Sequence, residues 1–180
     1  MQLSRRSLLV AGAALAFAPS AMADTIDDND LAWLRLLVGA ELLGIDFYGS
    51  PLKARKLRAK QLEDALAAEQ EHYRIVSSLV PSPATADDVD FAYPTGAFAS
   101  AGAIAKLAVA LEETFLGAYL GAVAAVHAPA LKATLAQIAA AQAQHLAVFV
   151  QLRGGYPLRP AIPGGLTIDR ASNLLDAYTG

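Results

Sequence analysis

The sequence predicts an all-α protein: an antiparallel four-helix bundle with one long crossover between the second and third helices and an irregular C-terminal tail. Four long stretches carry apolar residues at helical spacing, which is the main sequence signal for amphipathic helices. Breaks that contain Gly or Pro separate these stretches. The connections are short, long and short in that order, a pattern typical of bundles with a single crossover.

The first two predicted helices cover residues 28–49 and 53–80. The few residues at 49–51 join them, so the two helices are expected to be antiparallel neighbours. Pro81 and Pro83 are expected to end the second helix, because proline has no backbone N–H to donate. The positions aligned on one face are Leu31, Leu34, Val38, Glu41, Ile45 and Tyr48 on the first helix, and Leu62, Ala65, Glu69, His72, Val76 and Leu79 on the second.

The third and fourth predicted helices cover residues 101–127 and 129–153, again with a short connection. The stretch 81–100 is long for a loop in a compact domain, and it fits a crossover that runs the length of a bundle. The tail is expected to pack along the bundle and to contain a short helix at 169–178. The aligned face positions are Ala108, Glu112, Phe115, Tyr119, Ala122 and Val126 on the third helix, and Leu135, Ile138, Gln142, His145, Phe149 and Leu152 on the fourth.

The N-terminal residues 1–23 are predicted to be a twin-arginine (Tat) signal peptide rather than part of the fold. Arg5 and Arg6 precede an apolar run at 8–18, and the small-x-small pattern of a cleavage site follows at 21–23. The apolar run is shorter than the roughly 20 residues that a spanning helix needs. The exported protein is therefore expected in the periplasm, with the bundle at residues 24–155 and the tail at 156–180.

Charge and composition exclude some classes of function. Removal of the signal takes away Arg5, Arg6 and no acidic residue, so the formal net charge changes from −3 to −5. This mildly acidic chain has no basic stripe of the kind that binds nucleic acid. No segment after residue 23 is expected to be long and apolar enough to span a membrane. The sequence has no cysteine, so any metal site must use oxygen and nitrogen ligands.

Each of the four apolar stripes carries polar residues at mid-length. A buried polar group costs several kcal/mol unless a partner satisfies it, so four such groups at one level indicate a shared partner. On a helix, residues three apart lie on one face. Two helices with one carboxylate each and two with Glu-x-x-His form the metal site of di-iron and di-manganese bundles. The candidate ligands are Glu41, Glu69, His72, Glu112, Gln142 and His145.

A faint internal repeat supports this assignment. Glu41 and Tyr48 recur 71 residues later as Glu112 and Tyr119, and the Glu69-x-x-His72 pair recurs 73 residues later as Gln142-x-x-His145. The flanking sequence hardly matches. Tyr48 and Tyr119 are interpreted as packed core residues rather than redox residues.

Several short motifs follow one another along the chain: Ala40-Glu41, Asp46-Phe47-Tyr48, Glu69-Gln70-Glu71-His72, Phe91-Ala92-Tyr93-Pro94, Leu111-Glu112-Glu113, Gly117-Ala118-Tyr119 and His145. With these motifs, residues 28–153 resemble the ferritin-like superfamily. More narrowly, the chain is similar to the bacterial Tat-exported ferritin-like proteins that are related to desiccation-associated proteins.

The resemblance implies a ferritin-like bundle with a two-metal site of iron or manganese, and chemistry with oxygen or peroxide. It implies that Glu41, Glu69 and His72 bind one metal and that Glu112 and His145 bind the other. Glu69 and the residue at position 142 are then the bridging ligands.

Position 142 departs from the family pattern, which has a glutamate there. Gln142 offers one neutral carbonyl oxygen, and three carboxylates against two divalent ions leave an excess charge of +1. Weak occupancy of the second site, a single metal and no metal at all stay open. The leading hypothesis is a periplasmic non-haem metal protein that oxidises Fe(II) or handles peroxide. The alternative is a metal-free structural or stress-protective bundle that has lost the redox site. The sequence leaves the oligomeric state open.

Overall fold

The computed structural model describes residues 26–54, 59–158 and 163–180. The predicted signal peptide at residues 1–23 lies outside the described residues. The described chain is all-helical, which confirms the predicted fold class. Its helices are α1 (Asp28–Ala54), α2 (Ala59–Ser77), α3 (Ala101–Ala125), α4 (Pro129–Leu152) and α5 (Ile168–Asp176), with a 3₁₀ turn at Ala86–Asp88 in the crossover.

The four long helices form two hairpin-like pairs. The most extensive packing joins α1 to α2 and α3 to α4, while α1 also contacts α3. The seam between α2 and α4 is the most sparsely packed of the four. The α5 helix lies against α1 and α3. Each of the four long helices therefore has one face toward a common interior, as the sequence predicts.

The predicted boundary between the first two helices is wrong. The sequence analysis ends the first helix at Gly49, but α1 continues through Pro51 to Ala54. A proline already has helical φ and removes only one backbone hydrogen bond, so one further turn can follow it. The fully buried Phe47 and Tyr48 fix the helix just before this point. The second helix was expected over 53–80, but α2 begins at Ala59 and ends at Ser77.

The apolar core is divided into two clusters that lie above and below the polar positions. One cluster contains Leu34 and Leu37 of α1 and Leu131 of α4. The other contains Phe47 of α1 and Phe149 of α4. On α2 and α4 the polar positions separate the two clusters, and on α1 and α3 the two clusters meet close to Glu41 and Glu112. The bundle therefore closes a polar layer between two apolar layers.

The α3 helix is the most apolar of the four, and it corrects one expectation. By length and composition it could cross a membrane, whereas the sequence analysis expects no such segment after residue 23. In the bundle, however, 67% of its most apolar window is buried. A central position in the core accounts for its apolar composition.

The C-terminal segment lies on the outside of α3 at close range. The backbone N–H of Leu166 donates to the Gly117 carbonyl at 2.8 Å. A Cβ on Gly121 would stand 2.0 Å from the Leu166 carbonyl oxygen, so only glycine fits there. Further on, the Ala92 N–H in the crossover donates to the Tyr178 carbonyl at 2.8 Å. The segment after residue 163 thus ties α3 to the crossover.

Candidate metal centre

The structure brings all six predicted site residues together in the polar layer. The three glutamates and Gln142 are fully buried, and His72 is 7% exposed. The side chain of His145 is the most accessible of the set, at 16%. One residue comes from α1, two from α2, one from α3 and two from α4. Their role as metal ligands stays a prediction.

The six side chains form two overlapping groups that share one carboxylate. Glu41, Glu69 and His72 can each offer one ligand atom, and these atoms lie within 4.8 Å of one another. Glu69, Glu112 and His145 form a second group by the same measure. We call the first group the α1–α2 half-site and the second the α3–α4 half-site. Glu69 belongs to both, as a bridging carboxylate would.

Glu69 is the hub of the hydrogen-bond network. Its Oε2 accepts a hydrogen bond from Gln142 Nε2 at 3.0 Å and lies 3.3 Å from His72 Nδ1. Its Oε1 lies 3.1 Å from His145 Nδ1. The Gln142 Oε1 lies 3.2 Å from the same His145 nitrogen. The amide of Gln142 therefore contacts both Glu69 and His145. It occupies the place where the family pattern has a glutamate.

Two tyrosines hold the other two glutamates from across the bundle. The Tyr48 hydroxyl on α1 donates to Glu112 Oε1 on α3, and the Tyr119 hydroxyl on α3 donates to Glu41 Oε1 on α1. All four side chains are fully buried. The interpretation of these tyrosines as packed core residues misses this role. The signal that could have indicated it is a spacing of seven residues that occurs twice, between Glu41 and Tyr48 and between Glu112 and Tyr119.

The second oxygen of each held glutamate has no hydrogen-bond partner among the described residues. These atoms are Glu41 Oε2 and Glu112 Oε2, and both are buried. His72 Nδ1 is 3.6 Å from Glu41 Oε2, beyond hydrogen-bond range. Buried carboxylate oxygens are rarely left unpaired, and their presence beside imidazole nitrogens fits a divalent cation with oxygen and nitrogen ligands. The residues therefore fit a metal.

Burial and mutual repulsion raise the pKa values of the two outer glutamates. Burial is the main cause of the raised pKa of Glu41, and the charge of Glu69 adds to it. Burial also raises the pKa of Glu112 to about 7, although its hydrogen bond with His145 works in the opposite direction. Without a cation, burial and mutual repulsion therefore disfavour three charged carboxylates in the layer.

Glu69 and His145 have pKa values shifted in the direction that keeps both charged. Burial acts to raise the pKa of Glu69, but hydrogen bonds with Glu41, His145 and His72 outweigh it and hold this pKa far below its usual value. Burial acts to lower the pKa of His145, but hydrogen bonds with Glu112 and Glu69 raise it to about 10. A metal bound at His145 Nδ1 would have to displace that proton.

A third acid–histidine group lies at the end of the bundle, where α1 begins beside the α3–α4 turn. Asp27, Asp30 and His127 can offer ligand atoms within 4.8 Å of one another. Both Asp30 oxygens already accept backbone N–H groups, from His127 at 2.7 Å and from Ala128 at 2.9 Å. These bonds explain the buried Asp30 as a structural anchor for the turn.

The fold and the site together define a four-helix bundle with a polar layer that contains two overlapping candidate metal-binding groups of carboxylates and histidines. The sequence model of the ferritin-like domain family matches residues 29–155. The chain therefore belongs to the ferritin-like domain family. A comparison with curated proteins gives no match.

Proposed function

We propose that this protein is a periplasmic non-haem metal protein that binds iron or manganese and either oxidises Fe(II) or removes peroxide. The observation that carries the proposal is the pair of half-sites that share Glu69, with one free buried oxygen on Glu41 and one on Glu112. The bound metal would supply the redox chemistry. The ligand atoms suit both ions, and affinity order alone does not choose between them.

The residues of the chain have distinct tasks in this proposal. Glu69 reaches both half-sites, while Tyr48 and Tyr119 hold the outer glutamates in place. The apolar layers on either side exclude water, which strengthens every electrostatic interaction inside. His72 and His145 have the residual exposure of the site and lie on the sparsely packed α2–α4 seam. We therefore propose that an ion or a small oxidant enters along that seam.

The two half-sites are unequal, and this bears on how many ions bind. Glu41, Glu69 and His72 form a group with no amide in it. The α3–α4 half-site has Gln142 beside His145 where a second bridging carboxylate would stand. Three carboxylates balance one divalent ion fully and two ions incompletely. We therefore propose that the α1–α2 half-site fills first and that the other is weak.

Metal analysis of protein purified from the periplasm without chelator tests the proposal. We expect close to one equivalent of iron or manganese per chain in the wild type. His72→Ala should lose most of it, whereas His127→Ala, a histidine substitution outside the polar layer, should retain it. Loss of metal in the His127 variant alone, or no metal in the wild type after incubation with either ion, would contradict the proposal.

The second candidate function is a metal-free structural or stress-protective bundle. The observation that favours it is the Gln142 Nε2 bond to Glu69, because the amide gives the Glu69 carboxylate a hydrogen-bond donor without a cation. In this candidate burial raises the pKa of Glu41 and so favours its neutral form, and Glu69 pairs with the histidines. The two candidates differ in their response to metal and to a carboxylate at position 142.

The periplasmic location is part of the proposal and rests on the twin-arginine signal in residues 1–23. N-terminal sequencing of the exported protein tests it, with Asp24 expected as the first residue. Full-length chain in the membrane fraction would count against export and cleavage.

A further inference from the structure

Gly44 lies in the interior of α1, where the backbone does not require a glycine. The positive φ angles in the described part of the chain belong to Ser82, Gly96 and Gly154, so Gly44 has a conformation that any residue can adopt. Glycine is the poorest helix former after proline, and a buried glycine therefore weakens this 27-residue helix. The reason for a glycine at this position has to lie in its surroundings.

The side chain of Glu69 fills the space next to Gly44. A Cβ on Gly44 would lie 3.1 Å from Glu69 Cγ, 3.3 Å from the carboxylate carbon Cδ and 3.4 Å from a ring carbon of Phe115. The neighbouring glycines of α1 are different, because nothing lies within 4 Å of a Cβ on Gly39 or on Gly49. Of the glycines that the structure describes, Gly44 alone packs against a candidate metal ligand.

The Glu69 carboxylate is also in contact with α4. Its Oε2 lies 3.0 Å from Gln142 Nε2, and its Oε1 lies 3.1 Å from His145 Nδ1. These are ordinary hydrogen-bond distances, so the carboxylate cannot move closer to α4 without crowding these side chains. Among the described residues, α4 makes no extensive contact with α1. Glu69 therefore lies between the backbone of α1 and the side chains of α4.

We propose that Gly44 is a positioning residue for the shared carboxylate: because position 44 has no Cβ, Glu69 lies close enough to α1 to bind a metal together with Glu41. The inference rests on the proposed function. Glu41 comes three residues before Gly44, so both positions lie on the same face of α1. The missing side chain thus leaves room for Glu69 directly beside the other carboxylate of the α1–α2 half-site.

A methyl group at position 44 would act on one half-site more than on the other. Glu69 would have to give way by a few tenths of an ångström, away from α1 and toward α4. Glu41 would stay in place, because the Tyr119 hydroxyl holds it. The distance between the two carboxylates would therefore increase, while Glu69 would stay beside His145. The α1–α2 half-site should lose affinity, and the α3–α4 half-site should lose much less.

The test is to titrate metal-free Gly44→Ala and wild type with Mn(II), and with Fe(II) in the absence of oxygen, in competition with a chromophoric chelator. The variant should bind the first ion about 10- to 100-fold more weakly, the range typical of substitutions that misplace a metal ligand from outside the coordination shell. Without metal, its melting temperature should stay close to that of the wild type, because the gain in helix propensity offsets the crowding. A merely structural role would lower the metal-free melting temperature instead.

The matched control is Gly39→Ala, the same substitution on the same helix at a position with open space. This variant should keep the wild-type affinity for both ions. The positioning role is overturned, and the proposed function left standing, by wild-type affinity in Gly44→Ala, by an equal loss of affinity in the two variants, or by a clearly lower metal-free melting temperature of Gly44→Ala. A wild type that binds neither ion overturns both.

Discussion

Gln142 is the residue at which the two candidate functions predict opposite effects of one substitution. In a metal-binding core, Gln142→Glu supplies a second bridging carboxylate and removes the excess positive charge. It should raise metal content toward two per chain and increase Fe(II) oxidation, at little steric cost. In a metal-free core, the same change adds a buried acid without a cation, which destabilises the fold until its pKa rises and it becomes neutral. Metal analysis and melting curves with iron or manganese show whether Gln142→Glu raises or lowers metal content and stability.

Gln144→Glu is the matched control for this substitution. Gln144 is exposed on the same helix, so the charge change is the same while the polar layer is untouched. Its metal content and melting temperature should stay close to those of the wild type. The two-metal arrangement would be ruled out if the melting temperature of Gln142→Glu, but not that of Gln144→Glu, falls with iron and also with manganese.

The crossed tyrosines predict half-site-specific effects on metal affinity. Tyr119→Phe releases Glu41 and should weaken binding at the α1–α2 half-site. Tyr48→Phe releases Glu112 and should weaken the α3–α4 half-site instead. A hydrogen bond to a charged group contributes about 1.5–3 kcal/mol, which corresponds to about a 10- to 100-fold loss of affinity. Competition against a chromophoric chelator measures both affinities, and a loss at the same half-site in both variants would contradict the crossed arrangement.

At the scale of elements, Gly121 decides whether the C-terminal segment can lie on α3. Gly121→Ala gains about 1 kcal/mol of helix propensity, but its Cβ would meet the Leu166 carbonyl oxygen at 2.0 Å and Trp33 at 3.0 Å. We expect a lower melting temperature and faster proteolysis after residue 163. Gly39→Ala in α1, where nothing lies within 4 Å of the new Cβ, should instead stabilise by about 0.5–1 kcal/mol. Stabilisation in both variants would contradict the close packing.

The junction of α1 with the α3–α4 turn predicts a pH dependence of stability. A hydrogen bond with Asp27 raises the pKa of His127, and the same bond lowers the pKa of Asp27. The contribution of His127 is therefore fully present below its ordinary pKa of about 6.5 and is lost as the pH rises through the raised value. That of Asp27 is lost as the pH falls through its lowered pKa.

The pH dependence of the melting temperature, compared between the wild type and His127→Gln, tests this prediction. The difference between the two proteins should shrink above the raised pKa and also in high salt, because the pair is exposed and screened. A difference in melting temperature between the two proteins that grows at alkaline pH would contradict the predicted stabilisation by charged His127.

At the scale of the whole molecule, metal should stabilise the fold. A ligand that binds only the native state contributes about 2.7 kcal/mol at a hundredfold excess over its Kd. For a chain of this size the melting temperature should rise by about 5–10 °C. The stabilisation should survive in His127→Ala and largely disappear in His72→Ala. Identical melting curves with metal and with chelator would favour the metal-free candidate.

The sequence by itself determined the helical architecture and the candidate ligand set, because both depend on periodicity. Spacing of 3.6 residues places Glu69 with His72, and Gln142 with His145, on one face whatever the neighbouring helices do. The short and long connections fixed which helices pair. The end of α1 is misplaced by the sequence prediction, because the helix continues through Pro51 after a turn that the buried Phe47 and Tyr48 hold in place.

Only the tertiary structure decided how the candidate ligands are held. The bond from Tyr48 to Glu112 joins residues 64 apart in the chain, and the bond from Tyr119 to Glu41 joins residues 78 apart. Local periodicity cannot predict contacts between residues so far apart. The contact between the Tyr93 ring of the crossover and the Phe47 ring of α1, with centroids 5.8 Å apart, is likewise a result of tertiary packing. The physical reason is that side-chain direction follows from local geometry, whereas side-chain partners follow from how separate helices pack.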